Sequence, residues 1–194
     1  MNPIIRTSLC LLILLTGCAK SYDYAISEYR AEFRLKSGTG DVRVKLNIRY
    51  KVGTTEKSDG FKFVGTNGIK DVKCSDESGP IDSSIVPMRE NTIEWRFAPV
   101  ANGTKNVSVE FTVIGLLKND GEVHVLKVPW AGVFRVPVSN AIYEIVLPNE
   151  SNWEIITCSP GKFRIINRNG ERVLLIEESP LETKELYISY RQKR

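Results

Sequence analysis

The amino-acid sequence predicts an all-β protein, an antiparallel β-sandwich of immunoglobulin-like or similar type with a C-terminal β extension. Three observations carry this. Apolar and polar residues alternate with period two in segment after segment: Val42, Val44, Leu46, Ile48, Tyr50 and Val52 interleave with Arg43, Lys45, Asn47, Arg49 and Lys51. That period belongs to a strand with one buried and one wet face. Turn-forming clusters such as "TNG", "DESGP", "ANGTKN", "KNDG", "LPNES", "SPG" and "NRNG" punctuate the chain at short spacing. Nowhere does an apolar stripe of helical period persist. Many short strands so spaced build a sandwich or a barrel.

Taken in order, residues 1–17 read as an export leader. Arg6 precedes the apolar run Leu9–Leu15, which is far shorter than the roughly 20 residues a membrane-spanning helix needs. A basic start, a short apolar stretch and small residues at its end make a secretory signal. The "LTGC" of Leu15, Thr16, Gly17 and Cys18 resembles the lipobox of bacterial lipoproteins. That resemblance implies cleavage before Cys18, a diacylglyceryl group on its sulfur and, in many species, acylation of the new amino terminus. Two or three such chains give a stable anchor where one alone holds only reversibly, so residues 18–24 become a lipidated tether. An ordinary signal peptide with an incidental Cys18 is the alternative. Ala19 in place of Asp implies an outer-membrane address in a host with two membranes, and the outer face of the cell membrane in a host with one.

Residues 25–148 carry the predicted sandwich. Tyr29, Ala31, Phe33 and Leu35 alternate with Arg30, Glu32, Arg34 and Lys36, and "SGTGD" separates them from the strand at 42–52, so these two are expected to pair as an antiparallel hairpin. Further strands are expected at Gly60–Val64, Ile69–Cys74, Thr92–Phe97, Val107–Ile114, Val123–Val128, Gly132–Pro137 and Ala141–Leu147. Pro148 and "NESN" make a seam. Residues 149–194 hold strands at Trp153–Thr157, Phe163–Asn167, Arg172–Glu177 and Glu185–Arg191, too few for a confident core of their own. They read as an extension packed on the first part, with a small subdomain as the alternative.

Composition is ordinary for a folded domain, with 42% hydrophobic and 26% charged residues in 194. The formal charge of +4 includes Arg6 and is spread rather than clustered, so it gives no footprint for nucleic acid. Cys10 leaves with the leader and Cys18 takes lipid, which leaves Cys74 and Cys158. An exported compartment permits a disulfide between them, contributing roughly 4 kcal/mol in the chain-entropy model; two free thiols are the other reading.

Catalytic equipment is missing from the sequence. The only histidine, His124, alternates with Leu126 and Val128 and reads as a strand residue at a sheet edge or under a loop, not as the imidazole of a triad. One histidine and two distant cysteines do not supply a zinc site. The acidic turns with Asp76 and Glu77, and with Asp120 and Glu122, read as solvated rather than as calcium sites, and no cofactor fingerprint occurs. Glu94, Glu110, Glu144 and Glu154 fall on predicted strands at polar-face positions, where exposed charge discourages edge pairing. Trp95 alternates with Ile93 and Phe97 and belongs to the core. Trp130, in "VPWAG", and Trp153, in "NESNW", end elements and are the candidates for a binding surface, with rim packing the alternative. The terminal "RQKR" could touch phospholipid headgroups or cell-wall polymers, though a solvated end is the default.

The stretch "FTVIGLLKNDGEVHVLKVPWAGVFRVPVSNAIYEIVLP", Phe111 to Pro148, with the opening "YAISEYRAEFRLKSGTGDVRVKLNIRYKV" and the later "ITCSPGKF" and "SPLETKELYISY", resembles the extracytoplasmic N-terminal region of a family of uncharacterised bacterial predicted membrane proteins. The resemblance implies an exported β-sandwich and carries no catalytic residue to this chain. Members of that family continue into transmembrane helices, whose anchoring part the lipid on Cys18 would take here. The expectation is a non-catalytic, lipid-anchored envelope protein without cofactor, metal or nucleic acid, bound to the membrane through its anchor and to an envelope protein or polymer. An envelope hydrolase working through an unrecognised carboxylate site on glycan or peptide is the alternative.

Overall fold

The computed structural model describes residues 22–36, 38–87, 90–148 and 152–192. The predicted leader 1–17, Cys18 and Ala19, the seam residues 149–151, and Lys193 and Arg194 of the basic tail lie outside the described residues. Within them the regular structure is entirely strand. The strands are β1 (Tyr24–Leu35), β2 (Val42–Val52), β3 (Lys57–Phe63), β4 (Ile69–Asp76), β5 (Gly79–Ile81), β6 (Ser83–Pro87), β7 (Asn91–Val100) and β8 (Gly103–Val113), followed by β9 (Leu117–Asp120), β10 (Val123–Val128), β11 (Ala141–Val146), β12 (Trp153–Ser159), β13 (Arg164–Arg168), β14 (Glu171–Glu178) and β15 (Leu186–Gln192). No helix among the described residues is long and apolar enough to cross a membrane.

One large sheet runs β13-β14-β11-β1-β2-β8-β4-β5. Its middle is what the alternation predicts. β1 and β2 pair antiparallel with Tyr29 opposite Ile48 and Phe33 opposite Val44, and β2 pairs with β8 so that Val44 faces Phe111 and Leu46 faces Val109. Every second side chain of these strands is therefore on one face, and that face is buried. β11 lies parallel to β1, Phe33 opposite Ile145. A parallel neighbour needs a long crossover, which the chain supplies between β2 and β11 with strands of both layers, β4, β5 and β8 in the large sheet and β3, β6, β7, β9 and β10 in the other layer.

That layer consists of a four-stranded sheet, β12-β15-β10-β9, and a three-stranded sheet, β3-β7-β6. Ile93, Trp95 and Phe97 from β7, Leu126 and Val128 from β10, and Leu186, Ile188 and Tyr190 from β15 join the large sheet's inner face in one apolar core. Each such side chain contributes about 1.5–3 kcal/mol on burial, so the core itself holds the layers together. Cys74 on β4 and Cys158 on β12 are free thiols in different sheets, and the bridge left open by the sequence is not formed here. Cys158 Sγ lies 3.3 Å from Pro160 O instead. The C-terminal residues extend both layers: β13 and β14 add to the large sheet, β12 and β15 to the four-stranded one.

One expected strand is absent. Residues 132–137 run as turn and loop, because Pro137 lacks the N–H a ladder requires and the Gly132 N–H donates to Lys184 O at 3.1 Å. A Cβ at Gly132 would collide with the Thr183 carbonyl, so only glycine lets the segment come this close. The carbonyls of Ala131 and Val133 point inward, and that orientation creates the site described next.

Candidate functional site

Between β1, β2, β3 and the segment after β10 lies a narrow cleft of about 70 Å³, lined by Tyr24, Tyr50, Lys57, Phe61, Lys62, Phe63, Phe134 and Arg135, with Ile26, Gly60, Val133 and Val136. Gly60 is required here as well: a side chain would run into the Trp95 indole and would stand 2.6 Å from the Tyr50 hydroxyl. Its absence lets β3 settle onto the core, and this fixes which way the rest of the strand faces.

The outcome is the reverse of what "GFKFV" suggests to the eye. Phe61 and Phe63 are half-buried and Lys62 is 2% exposed. The Lys62 ammonium donates to Val133 O at 3.1 Å and Ala131 O at 3.3 Å and stands 3.8 Å from the centroid of the Phe134 ring. No carboxylate lies within ion-pair distance of it among the described residues. Burial alone pushes its pKa well below the ordinary lysine range, because taking an ammonium out of water without a counter-charge disfavours the charged form.

Two further cations stand at the rim. Arg135 lies over Phe61 at 4.6 Å and Phe63 at 5.7 Å. Lys57 lies over Tyr24 at 4.1 Å and Tyr50 at 5.4 Å while pairing with the exposed Asp59 at 3.2 Å. Cations held on aromatic faces keep their positive charge available to a ligand while losing some hydration. Against Lys57, Lys62 and Arg135 the cleft offers one carboxylate, Asp59, on its outside. The arrangement suits a small anionic group, carboxylate- or phosphate-sized, attached to a body that can lie on aromatic surface.

The other charged regions differ. On the outer face of the large sheet a groove of about 310 Å³ is lined by Glu28, Arg49, Asp76, Glu77 and Asn106 among others, and its charges neutralise one another. Arg49 reaches Glu28 at 3.5 Å, and Asp76 and Glu77 are held at 2.7 and 3.1 Å by Lys105, whose side chain shares the inner face of β8 with Val107 and Val109 and lies over Phe97. Burial pulls the Glu77 carboxyl upward, but hydrogen bonds from its own and the Asn106 N–H and from Lys105 outweigh it and bring the pKa down to about 2. Further along the same face Arg168 grips Glu144 bidentately at 2.9 and 3.1 Å and reaches Glu32 at 3.3 Å. Arg34 joins Glu32 at 3.1 Å and also pairs with Glu171.

Among the strand glutamates, Glu94 is exposed on β7, Glu110 pairs with Lys45 at 2.8 Å, and Glu154 pairs with Arg191 at 2.9 Å. Glu144 departs from expectation. It is 4% exposed, because β11 is an interior strand and Arg168 folds over it, so its charge is paired and buried rather than an exposed deterrent to edge pairing. Trp95 is in the core at 1% exposed. Trp130 is buried at 4%, packed against Phe33 and Phe111, because the turn after β10 folds inward; it has no face to offer a ligand. Trp153 is half-buried and edge-on to His124 and Tyr190, its indole N–H donating to Pro148 O at 2.6 Å. His124 pairs with Asn119 at 2.7 Å and stacks on Tyr190. Among the described residues no three His, Cys, Asp or Glu side chains are grouped to hold a metal ion.

Neither a family model nor a curated protein sequence matches this chain. Its fold is similar to that of a Legionella pneumophila protein provisionally named a nutrient-binding protein, with a TM-score of 0.66, 9% identity, and 88% of this chain and 67% of that one covered. It is also similar to an M1 zinc metallopeptidase from Deinococcus radiodurans, with a TM-score of 0.56, 10% identity, and 88% of this chain but only 42% of that one covered. The chain thus spans less than half of the peptidase. At these identities the likeness is one of fold alone.

Proposed function

We propose that this chain is a non-catalytic, lipid-anchored envelope protein, tethered through Cys18, that binds an anionic group of an envelope component through the cleft between β3 and the segment after β10. The observation that carries the reading is Arg135 set on the Phe61 and Phe63 rings with the buried Lys62 amine against the Phe134 ring, neither with a carboxylate in ion-pair reach among the described residues, while Arg34 and Arg168 on the large sheet's outer face are paired. The cleft lining holds no histidine, cysteine or carboxylate beside the Lys62 amine and the Tyr24 and Tyr50 hydroxyls, and we read it as a site that recognises and holds. A protein carrying an acidic segment and an anionic envelope polymer are the partners of matching chemistry.

Two measurements test this. Mass spectrometry of the purified native protein should find Cys18 at the amino terminus with acyl chains attached. Titration calorimetry of that protein in detergent against an acidic peptide and a polyglycerol phosphate should show binding that Arg135→Ala weakens by tenfold or more, which corresponds to about 1.4 kcal/mol. Unchanged binding by the variant would remove the cleft from the reading, and steady turnover of either ligand would replace it with an enzyme.

A further inference from the structure

We infer that the anionic group this cleft takes is the phosphate headgroup of the membrane lipid in which the chain is anchored, so that the domain lies against the bilayer with this end down. The inference rests on the tether reading of Cys18 and names the ligand of the same site. Three observations converge on it.

The first is reach. Cys18 stands four residues before Tyr22, and four extended residues span no more than about 14 Å. Tyr22 packs edge-on against Tyr24 at 5.7 Å, and Tyr24 lines the cleft. An acylated Cys18 therefore keeps the cleft at the bilayer surface, and the opposite end of the sandwich away from it.

The second is composition. Tyr22 at 40% and Val133 at 42% are exposed, and Phe61 and Phe63 are half-exposed beside them. Amphipathic aromatic rings and basic side chains are what the headgroup layer favours, the rings at the boundary and the cations reaching phosphate. The third is charge. Lys57 and Arg135 flank the mouth and Lys62 lies inside it, and basic residues close to an anionic leaflet are attracted to it over about a Debye length. A headgroup phosphate entering the cleft meets Arg135 at the rim and gives Lys62 the counter-charge that none of the described carboxylates provides.

Exposed apolar side chains also occur at Ile156 on β12, at Phe163 before β13 and at Ile165 on β13, edge strands of different sheets. They are farther along the chain from the tether, and nothing about them specifies an occupant.

The test uses the full acylated protein, so that retention on vesicles comes from the lipid and docking of the cleft is read separately. Amide hydrogen exchange is measured in detergent, on vesicles of phosphatidylcholine, and on vesicles of phosphatidylglycerol with phosphatidylethanolamine. Peptides covering 57–63 and 131–136 should exchange several-fold more slowly on the phosphatidylglycerol vesicles than in the other two states, while 164–168 is unchanged. Arg135→Glu should abolish the difference, and Arg135→Lys should restore most of it. At about 1 M salt, where charges are screened beyond roughly 3 Å, the protection should vanish although the protein stays on the vesicle. Equal exchange on the two vesicle types would overturn the inference. So would protection produced in detergent by soluble glycerol phosphate but not by phosphatidylglycerol vesicles, an outcome that leaves the anion-binding reading standing. An unacylated Cys18 in the same preparation would instead fell the tether reading, whatever the exchange data show.

Discussion

The outer face of the large sheet and the cleft between β3 and the segment after β10 are both rich in charge, yet they use it in opposite ways. On the sheet face Arg34, Arg168 and Arg43 each hold carboxylates, and the groups lower one another's energy without reference to anything outside. In the cleft Lys62 and Arg135 rest on rings and carbonyl oxygens, which hold a cation in place without cancelling it. Paired charge stabilises a surface and keeps it soluble. Charge that is positioned but not cancelled is an incomplete interaction, and completing it is what binding does.

The strongest way to break this contrast is at Lys62. Lys62→Ala removes a buried aliphatic stem and leaves the carbonyls of Ala131 and Val133 without their donor, which should cost about 3 kcal/mol, measured by urea denaturation. Lys62→Met keeps the volume and should cost less. It also carries a pH signature. Because the folded-state pKa of Lys62 lies below its unfolded value of 10.5, the unfolded chain binds the extra proton between the two, and stability rises with pH through that window. Above pH 10 the buried Tyr29, Tyr143 and Tyr190 reverse the trend, since burial raises their pKa and the unfolded chain ionises first. The wild type should therefore gain stability on the way to pH 10 and lose it beyond, and the Met variant should lack the gain.

A smaller effect is expected on the paired face. Arg168→Ala strips the buried Glu144 of its bidentate partner and should cost about 2 kcal/mol, less than for a sealed pair because the Arg168 side chain is 37% exposed. Glu144→Leu in the same background should recover most of the loss, since the charge left uncompensated is then gone. Smaller again is Glu77→Gln. The folded-state pKa of Glu77 is about 2 against an ordinary 4.5, so its contribution is complete above pH 4.5 and fades as pH falls towards 2. Acid titration of stability followed by circular dichroism should show a shallower decline in the variant. The smallest change belongs to Arg135→Ala. It should leave stability within about 0.5 kcal/mol while weakening the proposed anion binding tenfold or more, which sharpens the contrast by separating the cleft's work from the fold's.

Much of the architecture was legible in the sequence wherever one face of a strand is buried and the other wet. β1, β2 and β8 write their burial directly as alternation, and "SGTGD" marks the hairpin between the first two. β5, β6 and β9 are only three to five residues long, with too few alternating positions to register. The parallel seat of β11 beside β1 is a long-range choice that no local pattern encodes. The cleft was hidden for a related reason. Period two says that Phe61 and Phe63 share a face and Lys62 has the other, but it does not say which face turns inward; Gly60, by letting β3 close on Trp95, decides that. Trp130 was misplaced as a surface candidate because a loop that folds over the core looks, in sequence, like one that leaves it.

β14 and β15 follow one another near the end of the chain, yet each is an interior strand of a different layer, β14 between β13 and β11 and β15 between β12 and β10. Without them β11 and β10 would each show an open flank. Residues 171–192 thereby act as one clasp for both layers, and damage to that single stretch would loosen the two together.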